Sequence, residues 1–288
     1  MDMSIAKGEK ILILGGDERL VELAKFLRHR GYTISTFGHE NLGEKNIKEY
    51  ETLEEAITVN EVIIGPVPFN NGQKINMKLS NKIALVDDLV KFLKHDKMLY
   101  LGYPDKYFID LAERKGLIYH DYNSDENYQI YNAAITAEGA ISIMLNERKI
   151  SIHDSKILLL GYGRIGKILS KYLKVFNDNL YVAARKCSDI TWINMNGCKG
   201  ISLNDIDSII EDIDLVINTI PAKVLSNSTI DKMDKYSLII DLASKPGGLD
   251  HDYAREKGIK TIHALGLPGK TAPISAAKAI LSAILVLH

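Results

Sequence analysis

The stretch Lys156–Gly166, with the sequence KILLLGYGRIG, decides the fold of the second half of the chain. Its continuous apolar run predicts a buried strand, and the G-x-G-x-x-G pattern that follows opens a helix. Gly161 permits the tight turn, Gly163 lets the backbone approach a pyrophosphate, and Gly166 lets the helix pack closely on the strand. The pyrophosphate would rest on free N–H groups at the helix N-terminus. The stretch therefore predicts a Rossmann domain that binds a nicotinamide dinucleotide.

The end of the next predicted strand indicates which dinucleotide is bound. An NAD enzyme usually has Asp or Glu there, about 20 residues beyond the glycine pattern, to bind the ribose 2′-hydroxyl. This chain has Ala184 at that position, and Arg185 and Lys186 follow it. Arg185 can bind a 2′-phosphate through two hydrogen bonds, while Lys186 and Ser188 add donors. The alternative is that both cations belong to a solvated loop, but the pattern favours NADP over NAD.

Three later turns also follow predicted strands, and ligands of open α/β sheets bind beyond the carboxyl ends of strands. These turns are residues 218–221 (NTIP), 241–248 (DLASKPGG) and 266–273 (GLPGKTAP). Small polar residues in the first turn can line the ribose and the nicotinamide, and glycines in the other two permit backbone approach to a ligand. The predicted cofactor contacts are Gly161, Gly163, Arg164, Ile165, Gly166, Arg185, Lys186, Ser188, Asn218, Thr219, Ile220, Pro221, Leu242 and Ala243.

Strand-like runs alternate with helical patterns along the whole chain, which predicts an α/β protein with parallel sheets. In the first half the pattern predicts a flavodoxin-like doubly wound domain, joined by long helices to the Rossmann domain. Its predicted strands are Lys10–Leu14, Thr33–Phe37, Glu61–Val67, Ile83–Val86, Met98–Gly102 and Leu117–His120. The polar stretch Asn123–Asn127 marks the predicted boundary. We expect residues 1–128 to form a substrate and partner domain and residues 129–271 to form the NADP-binding domain, while helix 272–288 can pack back on the first.

The turn Gly15-Gly16-Asp17-Glu18-Arg19 follows the first strand but lacks the third glycine of the dinucleotide pattern. Its backbone donors could hold a substrate carboxylate with help from Arg19. The alternative is that Asp17 simply caps the following helix. The catalytic residue stays unassigned, and the candidates for binding substrate carboxylates are Asp17, Arg19, Thr136, Glu138, Lys245 and Lys270. For Lys245 and Lys270, an ordinary surface role is the competing interpretation.

Composition excludes several classes of protein. With 36 basic and 37 acidic residues the net charge is -1, so charge gives no argument for binding nucleic acid or an anionic membrane. The two cysteines exclude a disulfide framework, and no metal-ligand spacing is present, so we expect no metal. No signal peptide is visible, so we expect a cytoplasmic protein. The pattern places His29, His39, His95 and His288 at the surface and His120 and His263 near strand ends.

The ordered blocks resemble the A subunit of dipicolinate synthase from spore-forming Firmicutes, and the resemblance covers essentially the whole chain. It rests on GGDER at 15–19, YNAAITAEGA at 131–140, GYGRIG at 161–166, INTIP at 217–221, DLASKPGG at 241–248 and GLPGKTAP at 266–273. Turns like NTIP and LPG also occur in relatives of alanine dehydrogenase and adenosylhomocysteine hydrolase, so the architecture is shared with them.

The resemblance implies a heteromeric enzyme in a branch of the lysine pathway, acting in the mother cell of a sporulating bacterium. Such an enzyme would oxidise the small dicarboxylate dihydrodipicolinate to dipicolinate with NADP, together with a B subunit. Assembly into a homo-oligomer is left open. Two other functions are compatible with the residues: a non-catalytic NADPH-binding regulatory subunit, and an amino-acid or keto-acid dehydrogenase of the same architecture.

Overall fold

A computed structural model describes residues 8–40, 42, 47–94 and 96–286. The chain forms two compact units: one contains the residues up to Asn132 and those from Pro268 onward, and the other is Ala133–Leu267. Among the helices in the described ranges, none has both the length and the apolar character needed to cross a bilayer.

The first unit is built on a six-stranded parallel sheet with a small hairpin beside it. Its strands are β1 (Lys10–Leu14), β2 (Thr33–Phe37), β3 (Lys48–Glu49), β4 (Val62–Ile64), β5 (Asn70–Asn71), β6 (Lys74–Ile75), β7 (Met98–Leu101) and β8 (His120–Asp121). The sheet order is β3-β2-β1-β4-β7-β8, and β5 and β6 form the hairpin. Without the two-residue edge strand β3, this order is that of a flavodoxin-like sheet. The predicted fold class of this unit is thereby confirmed.

Helices cover both faces of this sheet. They are α1 (Glu18–His29), α2 (Leu53–Val59), α3 (Val86–Phe92) and α4 (Lys106–Lys115). In β1, Ile11 and Ile13 pack on the side of α1, while Leu12 and Leu14 pack on the side of α2 and α3. This burial on both faces explains why the central strands are continuous apolar runs rather than alternating ones. A 22-residue helix, α5 (Glu126–Glu147), then leads into the second unit.

The second unit repeats the design with a second six-stranded sheet, all of whose strands pair in parallel. Its strands are β9 (Ile157–Leu160), β10 (Leu180–Ala184), β11 (Lys199–Ser202), β12 (Leu215–Asn218), β13 (Leu238–Asp241) and β14 (Lys260–His263). Its helices are α6 (Arg164–Phe176), α7 (Cys187–Met195), α8 (Asn227–Ile230) and α9 (His251–Glu256). The order β11-β10-β9-β12-β13-β14 is that of a Rossmann sheet, so this prediction is also confirmed.

The end of the chain completes the core of the first unit. Two helices lie here, α10 (Leu267–Thr271) and α11 (Pro273–Val286). Ala277, Ile280 and Ile284 of α11 are buried in the same apolar cluster as Leu20 and Leu27 of α1. The first unit is therefore assembled from two separate parts of the sequence.

The structure corrects two of the shorter predicted elements. Ile83–Val86 is not a strand, because Leu85 is the N-cap of α3 and Val86 begins that helix. The strand predicted at Leu117–His120 is reduced to His120–Asp121. The polar stretch Asn123–Asn127 lies within a 3₁₀ turn and the start of α5, and the two units divide later, inside α5.

The core of the second unit can be tested at Leu159, which is fully buried in β9. Leu159→Ala should lower the free energy of unfolding of this unit by roughly 2–5 kcal/mol, because it leaves a cavity in a close-packed core. The chain has 1 tryptophan, Trp192 in α7, so its fluorescence during urea unfolding reports on the second unit. The control is Val175→Ala, because the Val175 side chain is 81% exposed. This variant should change the free energy of unfolding by less than about 0.5 kcal/mol. Equal losses of unfolding free energy in the two variants would contradict the burial of Leu159 in this core.

Candidate functional site

The glycine turn after β9 has the geometry that each of its glycines was predicted to provide. Gly161 has a φ of 101°, in the region that favours glycine, and its N–H donates to the Ala183 carbonyl over 2.9 Å. Gly163 is the N-cap of α6, and a Cβ built there would meet nothing within 4 Å. A Cβ on Gly166 would collide with the Gly161 carbonyl oxygen. Helix and strand can therefore approach this closely only with glycine at position 166.

This turn fits the pyrophosphate of a dinucleotide. The first-turn amides of α6 have no acceptor within the helix, and the positive end of the helix dipole favours an anion there. The open space over Gly163 is the space that a side chain would fill and that a phosphate can occupy. Arg164 is exposed and Ile165 is half-buried in the first turn of α6, beside this space.

The end of β10 presents the predicted cations to solvent. The exposed side chains here are Arg185, Lys186 and Ser188. Helix α7 begins at Cys187, with Lys186 as its N-cap. Within the described ranges, no acidic side chain forms an ion pair with Arg185 or Lys186. Both cations therefore remain available to an anionic ligand.

In the turn after β12, the side chains of Asn218 and Thr219 form hydrogen bonds within the protein. Asn218 is fully buried, and its amide group donates to the Ile220 carbonyl over 2.9 Å and to Asp241 over 2.8 Å. Its side-chain oxygen accepts the Ile220 N–H over 3.1 Å. Thr219 donates its hydroxyl to the Leu160 carbonyl over 2.8 Å. These side chains shape the turn, and half-buried Ile220 and exposed Pro221 form its accessible surface.

Asp241, at the end of β13 and the first residue of the DLASKPGG turn, is the centre of a buried hydrogen-bond network that was not predicted from the sequence. Its Oδ1 accepts from Asn218 Nδ2 over 2.8 Å and from the Ala243 N–H over 3.1 Å. Its Oδ2 accepts from the Gly248 N–H over 2.8 Å and from His251 Nε2 over 3.0 Å. The available signal was a carboxylate at the end of an apolar strand, since a buried charge must be hydrogen-bonded.

The same carboxylate and two histidines lie close enough to suggest a metal site, because ligand atoms of Asp241, His251 and His263 all lie within 4.8 Å of one another. The geometry argues for hydrogen bonding instead. The two imidazole rings stack with only 18° between their planes, so their in-plane lone pairs do not converge on one point. His263 Nε2 lies 2.9 Å from the Ala243 carbonyl, which it can bind only as a donor. We therefore describe this cluster as a network that holds the loop after β13.

In the first unit, the backbone amides of Gly15 and Gly16 donate to carbonyl groups of the protein. The Gly15 N–H donates to the Phe37 carbonyl over 2.9 Å, and the Gly16 N–H donates to the Asn76 carbonyl over 2.8 Å. Both amides that were expected to hold a substrate carboxylate are thus already hydrogen-bonded. Asp17 is the N-cap of α1, with Oδ1 accepting the Arg19 N–H, as in the alternative interpretation.

Asp17 and Arg19 form a buried ion pair at the carboxyl edge of this sheet. The Arg19 Nε and Nη2 atoms each lie 2.8 Å from an oxygen of Asp17, and Nη2 also donates to the Val67 carbonyl over 2.6 Å. Arg19 is only 6% exposed, so its guanidinium is held by the protein rather than presented to solvent. A Cβ on Gly269 would lie 2.9 Å from Asp17 Oδ2, so the backbone of α10 at Gly269 packs directly against the ion pair.

The ion pair controls the protonation of its members. Burial by itself raises the pKa of Asp17, but hydrogen bonds and charge attraction from Arg19, with a further contribution from Lys78, bring that pKa below its ordinary value. Burial also disfavours the charged form of Arg19, and the Asp17 carboxylate outweighs it and raises the pKa of the guanidinium. Both groups are therefore charged at neutral pH.

The remaining carboxylate candidates differ in accessibility. Glu138, Lys245 and Lys270 are exposed, whereas Thr136 is buried in α5. Asp17, Arg19 and Lys270 belong to the first unit, and Thr136, Glu138 and Lys245 belong to the second. Leu242 and Ala243, predicted to contact the cofactor, are buried at the end of β13.

The structure overturns the surface prediction for one histidine. His39 is 2% exposed, and neither ring nitrogen has a hydrogen-bond partner among the described residues. Burial lowers the pKa of His39, so the neutral ring is favoured. His29 is exposed as predicted, and His95 and His288 lie outside the described residues. The sequence pattern missed His39 because it lies in a turn, where no periodicity reports burial.

The chain is similar in sequence and in structure to known proteins. The family model of the N-terminal domain of the dipicolinate synthase A subunit matches residues 10–123. The A subunit of dipicolinate synthase from Bacillus subtilis (strain 168) is 30% identical over 274 residues, which cover 93% of this chain and 92% of that protein. The crystal structure of the corresponding A subunit from Bacillus halodurans is 27% identical and superposes with a TM-score of 0.85 over 97% of each chain. Transhydrogenase from Sinorhizobium meliloti shares the fold, with a TM-score of 0.69 at 14% identity over 97% of this chain and 92% of that chain.

The ion pair of the first unit predicts a pH-dependent effect of Asp17→Asn. At neutral pH the variant should lose about 3 kcal/mol of unfolding free energy, because the buried Arg19 is left without a counter-charge. Because the folded state lowers the pKa of Asp17, its contribution is present above the unfolded pKa and is lost as pH falls through the folded pKa. The difference between wild type and variant should therefore narrow in acid.

Urea unfolding followed by circular dichroism at a series of pH values measures this difference. Asp252→Asn is the matched control, because Asp252 also pairs with an arginine, Arg255, but both side chains are exposed. The control should match the wild type throughout. A difference for Asp17→Asn that is the same at every pH would contradict the ionic role of Asp17.

Proposed function

The chain belongs to the family of dipicolinate synthase A subunits, and on this premise we propose that it is an NADP-dependent oxidoreductase that forms dipicolinate from dihydrodipicolinate. The observation that carries the proposal is the glycine turn after β9, in which Gly163 leaves open space at the N-terminus of α6. In this proposal the second unit binds the cofactor, and the first unit serves the substrate and the partner protein.

The reaction sets modest demands on the protein. Oxidation of the dihydropyridine ring removes one hydride and one proton and leaves an aromatic ring, so dihydrodipicolinate and NADP⁺ give dipicolinate, NADPH and H⁺. The bound cofactor supplies the hydride acceptor. Aromatisation favours the product, so a strong general base is not essential, which suits a site without an assigned catalytic histidine. The protein must chiefly orient the ring and bind its two carboxylates.

The residues that would hold the cofactor follow from the geometry of the second unit. The open turn at Gly163 would take the pyrophosphate, and Arg185, Lys186 and Ser188 would surround a 2′-phosphate at the end of β10. No carboxylate occupies the strand end to repel that phosphate, because the residue there is Ala184. This arrangement supports NADP rather than NAD.

The substrate carboxylates require cations that are free to bind them. Lys245 follows β13 and Lys270 lies in α10, and both are exposed. Arg19 is committed to Asp17 and Val67, so we assign it to positioning the turn that carries Asp17. The two lysines are therefore the stronger candidates for direct contact with substrate.

The partner and setting are proposed from the family. The Bacillus subtilis relative is named as the A subunit of its enzyme, which supports a complex with a B subunit. We propose that this chain acts with such a partner in the mother cell of a sporulating bacterium, in a branch of lysine synthesis.

Arg185→Ala tests the choice of cofactor. Removing one charge-assisted contact should weaken NADP binding by roughly 1.5–3 kcal/mol, or about tenfold to a hundredfold, and leave NAD binding nearly unchanged. Isothermal titration calorimetry with each dinucleotide measures both affinities. Arg255→Ala, which removes an exposed arginine from α9, is the control and should alter neither. An equal loss of both dinucleotides would contradict contact between Arg185 and the 2′-phosphate.

Turnover tests the reaction itself. The chain, mixed with a family B subunit, NADP and the product of dihydrodipicolinate synthase, should form dipicolinate and NADPH, both followed by absorbance. Gly163→Val should abolish turnover while the protein stays folded, because its φ of -79° suits any residue but the side chain would fill the phosphate space. NADP binding without dipicolinate in any pairing would favour a non-catalytic regulatory role. Oxidation of an amino acid instead would indicate a dehydrogenase of the same architecture.

A further inference from the structure

We propose that Asp241 is a positioning residue for the nicotinamide half of the cofactor site, acting through the two loops that its carboxylate holds together. The inference rests on the proposed function, because it concerns how this chain would bind the nicotinamide end of a dinucleotide. Asp241 itself is fully buried and does not reach the cofactor; its action is on the loops that would.

The network depends on the acceptor capacity of a carboxylate. Each oxygen of Asp241 accepts two hydrogen bonds, from Asn218 and Ala243 on Oδ1 and from Gly248 and His251 on Oδ2. An asparagine offers one oxygen and one NH₂ group in the same volume. Whichever way such an amide turned, its NH₂ group would face a backbone N–H donor, that of Ala243 or that of Gly248. A buried donor without an acceptor is costly, so the surrounding loops would have to shift.

The four donors come from different parts of the chain. Asn218 ends β12, Ala243 and Gly248 lie in the loop after β13, and His251 begins α9. One carboxylate thus ties the turn after β12 to the loop after β13. Gly248 packs so tightly on the Asn218 side chain that a Cβ there would collide with it. The two loops therefore have a fixed mutual position, and a change in one is transmitted to the other.

Two histidines extend this support to the loop. The Ala243 N–H is held by Asp241, and its carbonyl oxygen lies 2.9 Å from His263 Nε2. His263 also stacks on His251 with the ring centroids 4.9 Å apart. Both backbone groups of Ala243 are engaged, which fixes the path of the chain from the end of β13 towards the exposed Ser244 and Lys245.

The strand order identifies which half of a dinucleotide these loops face. The order reverses between β9 and β12, and a dinucleotide crosses this point with one mononucleotide on each half of the sheet. The β9–β11 half carries the phosphate turn and Arg185, which would face the adenosine ribose. The loops after β12 and β13 therefore face the nicotinamide mononucleotide, and Asp241 is expected to affect that half alone.

Binding of two ligands separates this role from a general effect on folding. NADPH spans both halves of the site, whereas adenosine 2′,5′-bisphosphate occupies only the adenosine half. For Asp241→Asn, calorimetry should show at least a tenfold loss of NADPH affinity and less than a twofold change for the bisphosphate. Asp214→Asn is the matched control, because Asp214 accepts the Lys156 N–H over 2.7 Å at the opposite, amino end of the sheet. It should leave both affinities at the wild-type value.

If Asp241→Asn does not fold, a second variant tests the same inference. Gly248→Ala leaves the carboxylate in place but pushes the loop from Asn218, so the same selective loss of NADPH affinity is expected. Wild-type NADPH affinity in both variants, or equal loss of both ligands, would overturn the positioning role and leave the proposed function standing. Failure of the wild-type chain to bind any nicotinamide dinucleotide would overturn the proposed function and this inference with it.

Discussion

The second unit depends on one close approach, that of Gly166 in α6 to the carbonyl oxygen of Gly161. Because no side chain separates them, the helix starts directly above the end of β9, and its N-terminus, the positive end of the helix dipole, lies at this end of the strand. The sheet order then places the remaining strand ends on either side of this point. The location of the proposed phosphate site is thus a consequence of packing between one helix and one strand, before any ligand contact is considered.

Each unit keeps a buried aspartate at the carboxyl edge of its sheet, and the two perform related tasks. Asp17 pairs with Arg19 and caps α1. Among the described residues no lysine or arginine pairs with Asp241, which relies on four hydrogen bonds. The Asp241 carboxylate joins distant segments directly, whereas Asp17 does so through Arg19, which reaches Val67. Nearby glycines, Gly269 and Gly248, allow the close approach in each unit. Polar groups thereby fix the loops at the edge where apolar packing alone cannot specify a conformation.

The sequence was most informative where strands are long and covered on both faces. The strand Lys10–Leu14 was predicted with its observed bounds, because a continuous apolar run before turn residues is typical of a buried parallel strand. The two-residue edge strand β3 was not predicted, since so short a pairing leaves no periodic pattern. The glycine turn could be predicted in detail because each glycine has a separate geometric reason. The engagement of Arg19 by Asp17 and Val67 could not, because it depends on contacts across 48 residues of sequence.

The discontinuity of the first unit has a consequence for synthesis on the ribosome. Its α1 is covered by α11, which is made after the second unit, whereas the second unit is a single uninterrupted segment. Domains generally fold as they emerge, in order from the N-terminus. Here the part of the first unit that precedes the second unit must wait, with the apolar face of α1 uncovered, until α11 has been synthesised and has left the exit tunnel. The second unit can therefore be completed before the first, although most of the first unit is synthesised earlier.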